Sequence, residues 1–321
     1  MTKKPIPTRP LGTTGIQVSE LALGTMQFTW TCSAAMGRRV LDAYWAAGGY
    51  FIDTADSYTT WQEGNSGGEA ETIIGNWMKE RKNRRQVVLA TKCQMRVWPG
   101  TTGEGLSRVH VFSAIDASLQ RLRTDYVDLL QCHWPDGITP VEETLRAFDD
   151  LIAAGKVRYV GCSNFSSGLF GEALALARWG RYPKLVSVQP RYHLLERDFE
   201  KDHAWLAKKY GVAVIPYSPL AGGFLTGKYR KGKPLPDSKR IEWQKHMLGD
   251  KLWNVVATLE RLGRKRGKTV AQMALGWHLS HDWMTAPIVG ANSPEQLKET
   301  LGAAGLKLTP DEMKALDEVS K

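Results

Sequence analysis

Val127-Asp-Leu-Leu-Gln-Cys-His133, then a segment of helical period over residues 141–154, then Val157-Arg-Tyr-Val-Gly-Cys162 stand one after another in the middle of the chain. The two outer runs are short, apolar and rich in β-branched residues, while the segment between them is long enough for a crossover helix. They form a βαβ unit and predict two parallel strands. The alternation continues outward in both directions. Upstream lie Leu21-Ala-Leu-Gly24, Tyr50-Phe-Ile-Asp53 and Val87-Val-Leu-Ala-Thr-Lys92; downstream lie Leu185-Val-Ser-Val-Gln189, Val212-Ala-Val-Ile-Pro-Tyr217 and Ala286-Pro-Ile-Val-Gly290. Helix-period segments over 68–81, 108–122, 200–210, 251–266 and 269–280 separate them. Eight strand-like runs without a composition break predict an α/β fold, a closed (β/α)8 TIM barrel, because closure leaves no strand edge. Residues 1–321 read as a single domain opened by an N-terminal β-hairpin. No G-x-G-x-x-G follows a strand, which disfavours an open dinucleotide-binding sheet. Three connections, 57–67, 94–107 and 226–249, are longer than a barrel needs and place long loops at its C-terminal face, where binding is expected.

Composition narrows the partners. The 321 residues are 42% hydrophobic and 24% charged, enough for a large core and far from a disordered chain. Lys plus Arg number 43 against 33 Asp plus Glu, a formal charge of +10. The basic clusters around Arg84, Lys231 and Lys265 are short and separated by acidic residues, so neither nucleic acid nor a membrane surface is expected as partner. Cys32, Cys93, Cys132 and Cys162 form no C-x-x-C pair and have no histidine at zinc spacing; reduced thiols and no metal site follow. The first ten residues hold no apolar stretch of signal-peptide length, and a cytoplasmic location is the expectation.

In a barrel, polar residues at the C-terminal strand ends meet the ligand. Here Asp53, Lys92, His133, Gln189 and Tyr217-Ser218 end strands, Ser163 and Asn164 follow one, and Tyr58 lies in the loop beyond Asp53. Singly, each has an ordinary explanation: a turn aspartate, a core histidine, a lysine snorkelling to solvent. Together, an acid, a cation, a phenol and an imidazole at one rim suit proton delivery to a carbonyl oxygen. Lys92 held by Asp53 would lower the Tyr58 pKa, and a neutral His133 would polarise the carbonyl. The set contains no electron source, so the hydride must come from a cofactor.

These residues resemble a known family. Leu23-Gly-Thr-Met26, Phe51-Ile-Asp-Thr-Ala-Asp-Ser-Tyr58, Leu89-Ala-Thr-Lys92, Tyr126-Val-Asp-Leu-Leu-Gln-Cys-His-Trp134, Gly155-Lys-Val-Arg-Tyr-Val-Gly-Cys-Ser-Asn164 and Pro216-Tyr-Ser-Pro-Leu-Ala-Gly-Gly223 look like the aldo-keto reductases, in the family's order. The likeness is to the bacterial and potassium-channel β-subunit branch. It implies an NADP(H)-dependent oxidoreductase acting on a small carbonyl or alcohol, with Asp53, Tyr58, Lys92 and His133 as catalytic tetrad and Tyr58 as general acid. It also implies that Thr25, Met26 and Asp53 border the cofactor, that Ser163, Asn164 and Gln189 hold its carboxamide, and that Tyr217 stacks on its ring. Ser218, Leu220, Gly222, Lys228 and Lys239 or Arg240 would hold the phosphates. Gly290, Ser293, Gln296 and Glu299 would form the adenosine end, where the sequence departs from the hydroxysteroid-type pattern; NAD(H) therefore stays open.

Trp30, Trp61, Trp98 and Trp134 follow strand ends or lie in the long loops and are the candidate substrate walls, while Trp243 is placed to close over bound cofactor. Gly222-Gly-Phe-Leu-Thr-Gly227-Lys228 meets the spacing of a phosphate-cradling P-loop, but Tyr229 stands where Mg²⁺ needs a hydroxyl. A barrel glycosidase requires two carboxylates across the mouth, and only Asp53 ends a strand. The remaining alternative is a cofactor-binding regulatory subunit with slow turnover. Substrate, reaction direction and oligomeric state are not readable from these residues.

Overall fold

A computed structural model describes residues 5–321; residues 1–4 of the predicted single unit lie outside the described part. Strands β1 (Thr8–Pro10) and β2 (Gln17–Ser19) form an antiparallel hairpin. The eight barrel strands are β3 (Ala22–Gly24), β4 (Phe51–Asp53), β5 (Val88–Cys93), β6 (Val127–Cys132), β7 (Val157–Ser163), β8 (Leu185–Gln189), β9 (Ala213–Val214) and β10 (Ile288–Gly290). They pair in parallel in chain order, and β10 returns to β3. Closure is completed where Val214 bridges Met284 and the Ile288 amide donates to the Pro216 carbonyl at 2.9 Å. The structure is therefore a (β/α)8 barrel with an N-terminal hairpin.

The helices are α1 (Ala34–Ala46), α2 (Glu69–Arg81), α3 (Arg108–Leu122), α4 (Val141–Ala153), α5 (Ser167–Trp179), α6 (His203–Tyr210), α7 (Asp250–Arg266), α8 (Val270–Ser280), α9 (Pro294–Leu301) and α10 (Pro310–Ser320). The sequence reading did not count α1, α5 or α10. It also ran the seventh strand on to Tyr217, where the ladder stops at Val214 and only an isolated Arg191–Tyr217 bridge remains. Side-chain alternation divides the core. Phe51, Ala90, Leu129, Val186, Ala213 and Ile288 point inward and pack against Leu11 and Val18 of the hairpin, which plugs the N-terminal end. Ile52, Leu89, Leu130, Val160 and Val188 point outward beneath the helices.

Cys93, Cys132 and Cys162 occupy adjacent register positions on β5, β6 and β7. All four thiols are free, and burial pushes those three well above the ordinary thiol range. Among the described residues no cluster fit to hold a metal occurs, and no helix is long and apolar enough to cross a membrane.

Candidate active site

The strand-end residues open on one face. Above the inward layer of Phe51, Ala90 and Leu129, the next inward positions two residues on are Asp53, Lys92 and Gln131, which follows from the two-residue period of a strand. Lys92 Nζ donates to Asp53 Oδ1 at 2.6 Å, to the Thr54 carbonyl at 2.8 Å and to the Tyr58 hydroxyl oxygen at 2.7 Å, so all three ammonium hydrogens have partners. The Tyr58 hydroxyl stands 3.4 Å from the same Asp53 oxygen. Lys92, Asp53 and Tyr58 are all buried. Asp53 Oδ2 accepts from Gln189 Nε2 at 2.9 Å and from Gln131 Nε2 at 3.4 Å, and Gln131 in turn accepts from Ser187.

His133 lies edge-on to Tyr58, with ring centres 5.8 Å apart, and its Nδ1 is 3.4 Å from Ser57 Oγ. Burial, and then the Lys92 charge, push its pKa down to about 3, so the imidazole is neutral. Burial also lowers the Lys92 pKa, with Asp53 opposing the change. Tyr58 departs from expectation. Burial, followed by the charge and hydrogen bond of Asp53, pushes its phenol well above the ordinary value, and this outweighs the acidifying effect expected of Lys92. Tyr58 is thus a firmly protonated phenol.

The carboxamide candidates form one chain beside this group. The Tyr217 hydroxyl donates to Asn164 Oδ1 at 2.9 Å, Asn164 Nδ2 donates to the His133 carbonyl at 2.9 Å, and Ser163 Oγ donates to the Gln189 carbonyl at 2.7 Å. Thr25 donates to the Asp53 carbonyl, and Met26 follows it, partly buried. Beyond Tyr217 the backbone turns through left-handed residues at Ser218, Ala221, Gly222 and Gly223, with φ of 55°, 49°, 61° and 108°. Leu220 lies within this turn, and Lys228 is exposed just past it. Lys239 Nζ donates to the Trp30 carbonyl at 3.0 Å, and the Arg240 guanidinium lies 5.1 Å over the Trp30 ring. Arg240 Nη2 is buried with no hydrogen-bond partner among the described residues. Gly290 ends β10, Ser293 caps α9, Gln296 accepts from the Asn292 amide at 2.9 Å, and Glu299 is exposed on α9.

Of the tryptophans, Trp30 and Trp61 meet each other and Trp243 at the mouth. Trp98 packs instead on His110, with ring centres 5.0 Å apart, and Trp134 is exposed beside His133. The sequence reading passed over Gln131, although its place two residues before His133 puts it on the same strand face. It also passed over Asp56, whose two carboxylate oxygens are buried without a hydrogen-bond partner among the described residues and whose pKa burial raises well above the ordinary value. Thr29 and Thr59 were missed too: both are left-handed, at φ 66° and 71°, and their hydroxyls lie 3.2 Å apart. No sequence signal marks that pair.

A barrel whose mouth gathers a lysine, an aspartate and a buried phenol beside a glycine-bearing left-handed turn defines a class, and comparison with known proteins agrees. Residues 20–321 match the model of the Aldo/keto reductase family. The chain belongs to that family and is an oxidoreductase of it. Among individual relatives, it is 36% identical to the uncharacterized oxidoreductase YrpG of Bacillus subtilis, over 96% of this chain and 94% of that protein. It is 34% identical to a putative voltage-gated potassium channel subunit beta of Schizosaccharomyces pombe (98% and 94% covered) and 32% identical to L-glyceraldehyde 3-phosphate reductase of Escherichia coli (97% and 91% covered).

Proposed function

We propose that this protein is an NADP(H)-dependent carbonyl reductase that interconverts small aldehydes or ketones and alcohols, with Asp53, Tyr58, Lys92 and His133 as its catalytic residues. The observation that carries this reading is buried Lys92 Nζ held between Asp53 Oδ1 and the Tyr58 hydroxyl, at 2.6 and 2.7 Å, beside neutral His133. A reduced nicotinamide, when bound, supplies the hydride that the carbonyl carbon takes up. Tyr58 gives its proton to the carbonyl oxygen, and the phenolate left behind is neutralised by Lys92, whose charge Asp53 fixes in place. In the tautomer that carries its proton on Nε2, His133 accepts from the Ser57 hydroxyl at Nδ1, 3.4 Å away, and offers Nε2–H to the carbonyl oxygen to orient it.

The residues present suit a dinucleotide. The left-handed turn 218–223 bends the backbone through two adjacent glycines, a geometry that lets a phosphate approach the main chain, while Gly222 itself packs against Gln244. The buried, partnerless Arg240 nitrogen is a donor waiting for an anion. Asn164, Ser163 and Gln189 would face the carboxamide, Tyr217 the ring, and Ser293, Gln296 and Glu299 the adenosine, with NADP(H) favoured over NAD(H) by the Lys228, Lys239 and Arg240 cations. The decisive experiment follows NADPH oxidation with a panel of aldehydes, ketones, quinones and L-glyceraldehyde 3-phosphate, in parent and Tyr58→Phe. Loss of turnover by roughly 10²–10⁴-fold in the variant, with NADPH still bound, supports the reading; parental turnover removes Tyr58 as proton donor.

The relative described as a channel subunit beta carries the second reading, a cofactor-binding regulatory subunit with slow turnover. A parent that oxidises one equivalent of bound NADPH and then stalls on every substrate would favour it.

A further inference from the structure

Three tryptophans from three loops meet over the mouth. Trp30 follows β3, Trp61 lies three residues past Tyr58, and Trp243 belongs to the long segment 227–249 that crosses from the phosphate turn. Trp243 stacks on Trp30 with ring centres 4.8 Å apart and planes 20° from parallel, and it meets Trp61 edge-on at 5.7 Å; Trp30 and Trp61 meet edge-on at 5.5 Å. These are the favoured aromatic geometries. Trp30 is 7% exposed, whereas Trp61 and Trp243 are 40% and 50% exposed, so the last two are held mainly by the cluster itself. The segment has further fastenings on both sides of Trp243. Gln244, next to Trp243, is buried against Gly222, and Lys239 and Arg240 engage the carbonyl and ring of Trp30.

The loop that Trp61 braces carries strain. Thr59, directly after Tyr58, holds φ at 71°, a left-handed conformation that a β-branched residue adopts only when its surroundings impose it. Its hydroxyl reaches Thr29 at 3.2 Å and Glu69 at 3.3 Å, and Asn65 Nδ2 donates to Thr29 Oγ1 at 3.0 Å. The turn that aims the Tyr58 phenol is therefore maintained from outside, by the Thr29 side on one flank and by the tryptophan cluster on the other.

We propose that Trp243 is a positioning residue for Tyr58: seated against both Trp30 and Trp61, it pins the turn at residues 59–61 and so fixes the phenol against Lys92. The segment that covers the phosphate turn thereby also orders the proton donor, which couples cofactor enclosure to catalytic competence. This rests on the reading of Tyr58 as the acid. Displacing a reacting group by about 1 Å can cost on the order of 10²-fold in rate.

The test uses Trp243→Ala, Trp243→Phe, Trp61→Ala and the Trp61→Ala/Trp243→Ala double variant, with Tyr58→Phe alongside. The readouts are NADPH dissociation constants, and kcat and KM for one good aldehyde at saturating NADPH. The expected result is a fall in kcat of at least about tenfold for Trp243→Ala with KM little changed, recovery of most of it in Trp243→Phe, and a double variant no slower than Trp61→Ala because both act through one contact. Parental kcat in Trp243→Ala, no recovery with Phe, or losses that multiply in the double variant overturns the proposal. Tyr58→Phe separates the two failures: if it is inactive while Trp243→Ala is parental, only the positioning role falls, and if it is fully active the reading of the site itself falls.

Discussion

Gln189 Nε2 donates to Asp53 Oδ2 at 2.9 Å, on the carboxylate oxygen opposite the one that receives Lys92. Asp53 is thus clamped from both sides, and its charge is the main counterweight to a fully buried ammonium. Replacing it by Asn keeps the shape and removes that charge. Because breaking a buried ion pair strands its partner, Asp53→Asn is expected to lose roughly 3–5 kcal/mol in a urea melt and most of its turnover. A stability loss below about 1 kcal/mol would mean that Lys92 sheds its proton instead.

Gly161 tests the same network from the neighbouring strands. A β-carbon there would stand 2.1 Å from Ser187 Oγ and 3.3 Å from Gln131 Cγ. Both side chains belong to the chain that ends on Asp53. Gly161→Ala should cost about 1–3 kcal/mol by overpacking and should lower kcat while leaving NADPH affinity near parental. A crystal structure of the variant with Gln131 still on Asp53, together with parental kcat, would contradict this.

The strand ends were readable because parallel barrel strands are nearly continuous apolar runs, and their polar last residues stand out against them. Asp53, Lys92 and His133 could be named on that basis. Helices α1, α5 and α10 were not counted even though Ser33, Ser166 and Thr309 cap them, and Thr309 with Glu312 forms a capping box legible in the sequence. The direction of the Tyr58 shift was not legible at all, because it depends on how much water the pocket admits. Nor was the meeting of Trp30, Trp61 and Trp243, which join three loops far apart in the chain, while Trp98, equally well placed by its loop, packs on His110.

His278 links stability to acid. It is fully buried on α8, its Nε2 lies 3.2 Å from the Pro219 carbonyl, and burial pushes its pKa down to about 3. The unfolded side chain takes up a proton near pH 6.5, and the folded one does not until about pH 3. Stability is therefore full above pH 6.5 and is lost as pH falls through the window between the two values, by up to about 1.4 kcal/mol per pH unit for this group. His281, pushed down to about 4, and His193, held well below its ordinary value, act in the same direction. Urea melts at steps between pH 7 and pH 4 should show a shallower decline for His278→Gln than for the parent. Identical slopes would remove His278 from the linkage.

On the proposed reading, Arg240 is a candidate determinant of which nicotinamide cofactor binds. Its guanidinium carbon lies 5.1 Å from the centre of the Trp30 ring, its Nη2 is buried without a partner among the described residues, and burial lowers its pKa to about 10, which still leaves it charged at neutral pH. A half-buried cation with one buried nitrogen unpartnered is costly until an anion meets it. Charge-assisted hydrogen bonds are worth about 1.5–3 kcal/mol. If Arg240 meets the 2′-phosphate and not the pyrophosphate that both cofactors share, Arg240→Met should weaken NADPH by roughly 10–150-fold and leave NADH close to parental. Lys228→Met, which removes an exposed and solvated cation, should have the same sign and a smaller size. Fluorescence titrations with both cofactors measure the difference, and equal losses for NADPH and NADH in Arg240→Met would show that this guanidinium does not recognise the 2′-phosphate.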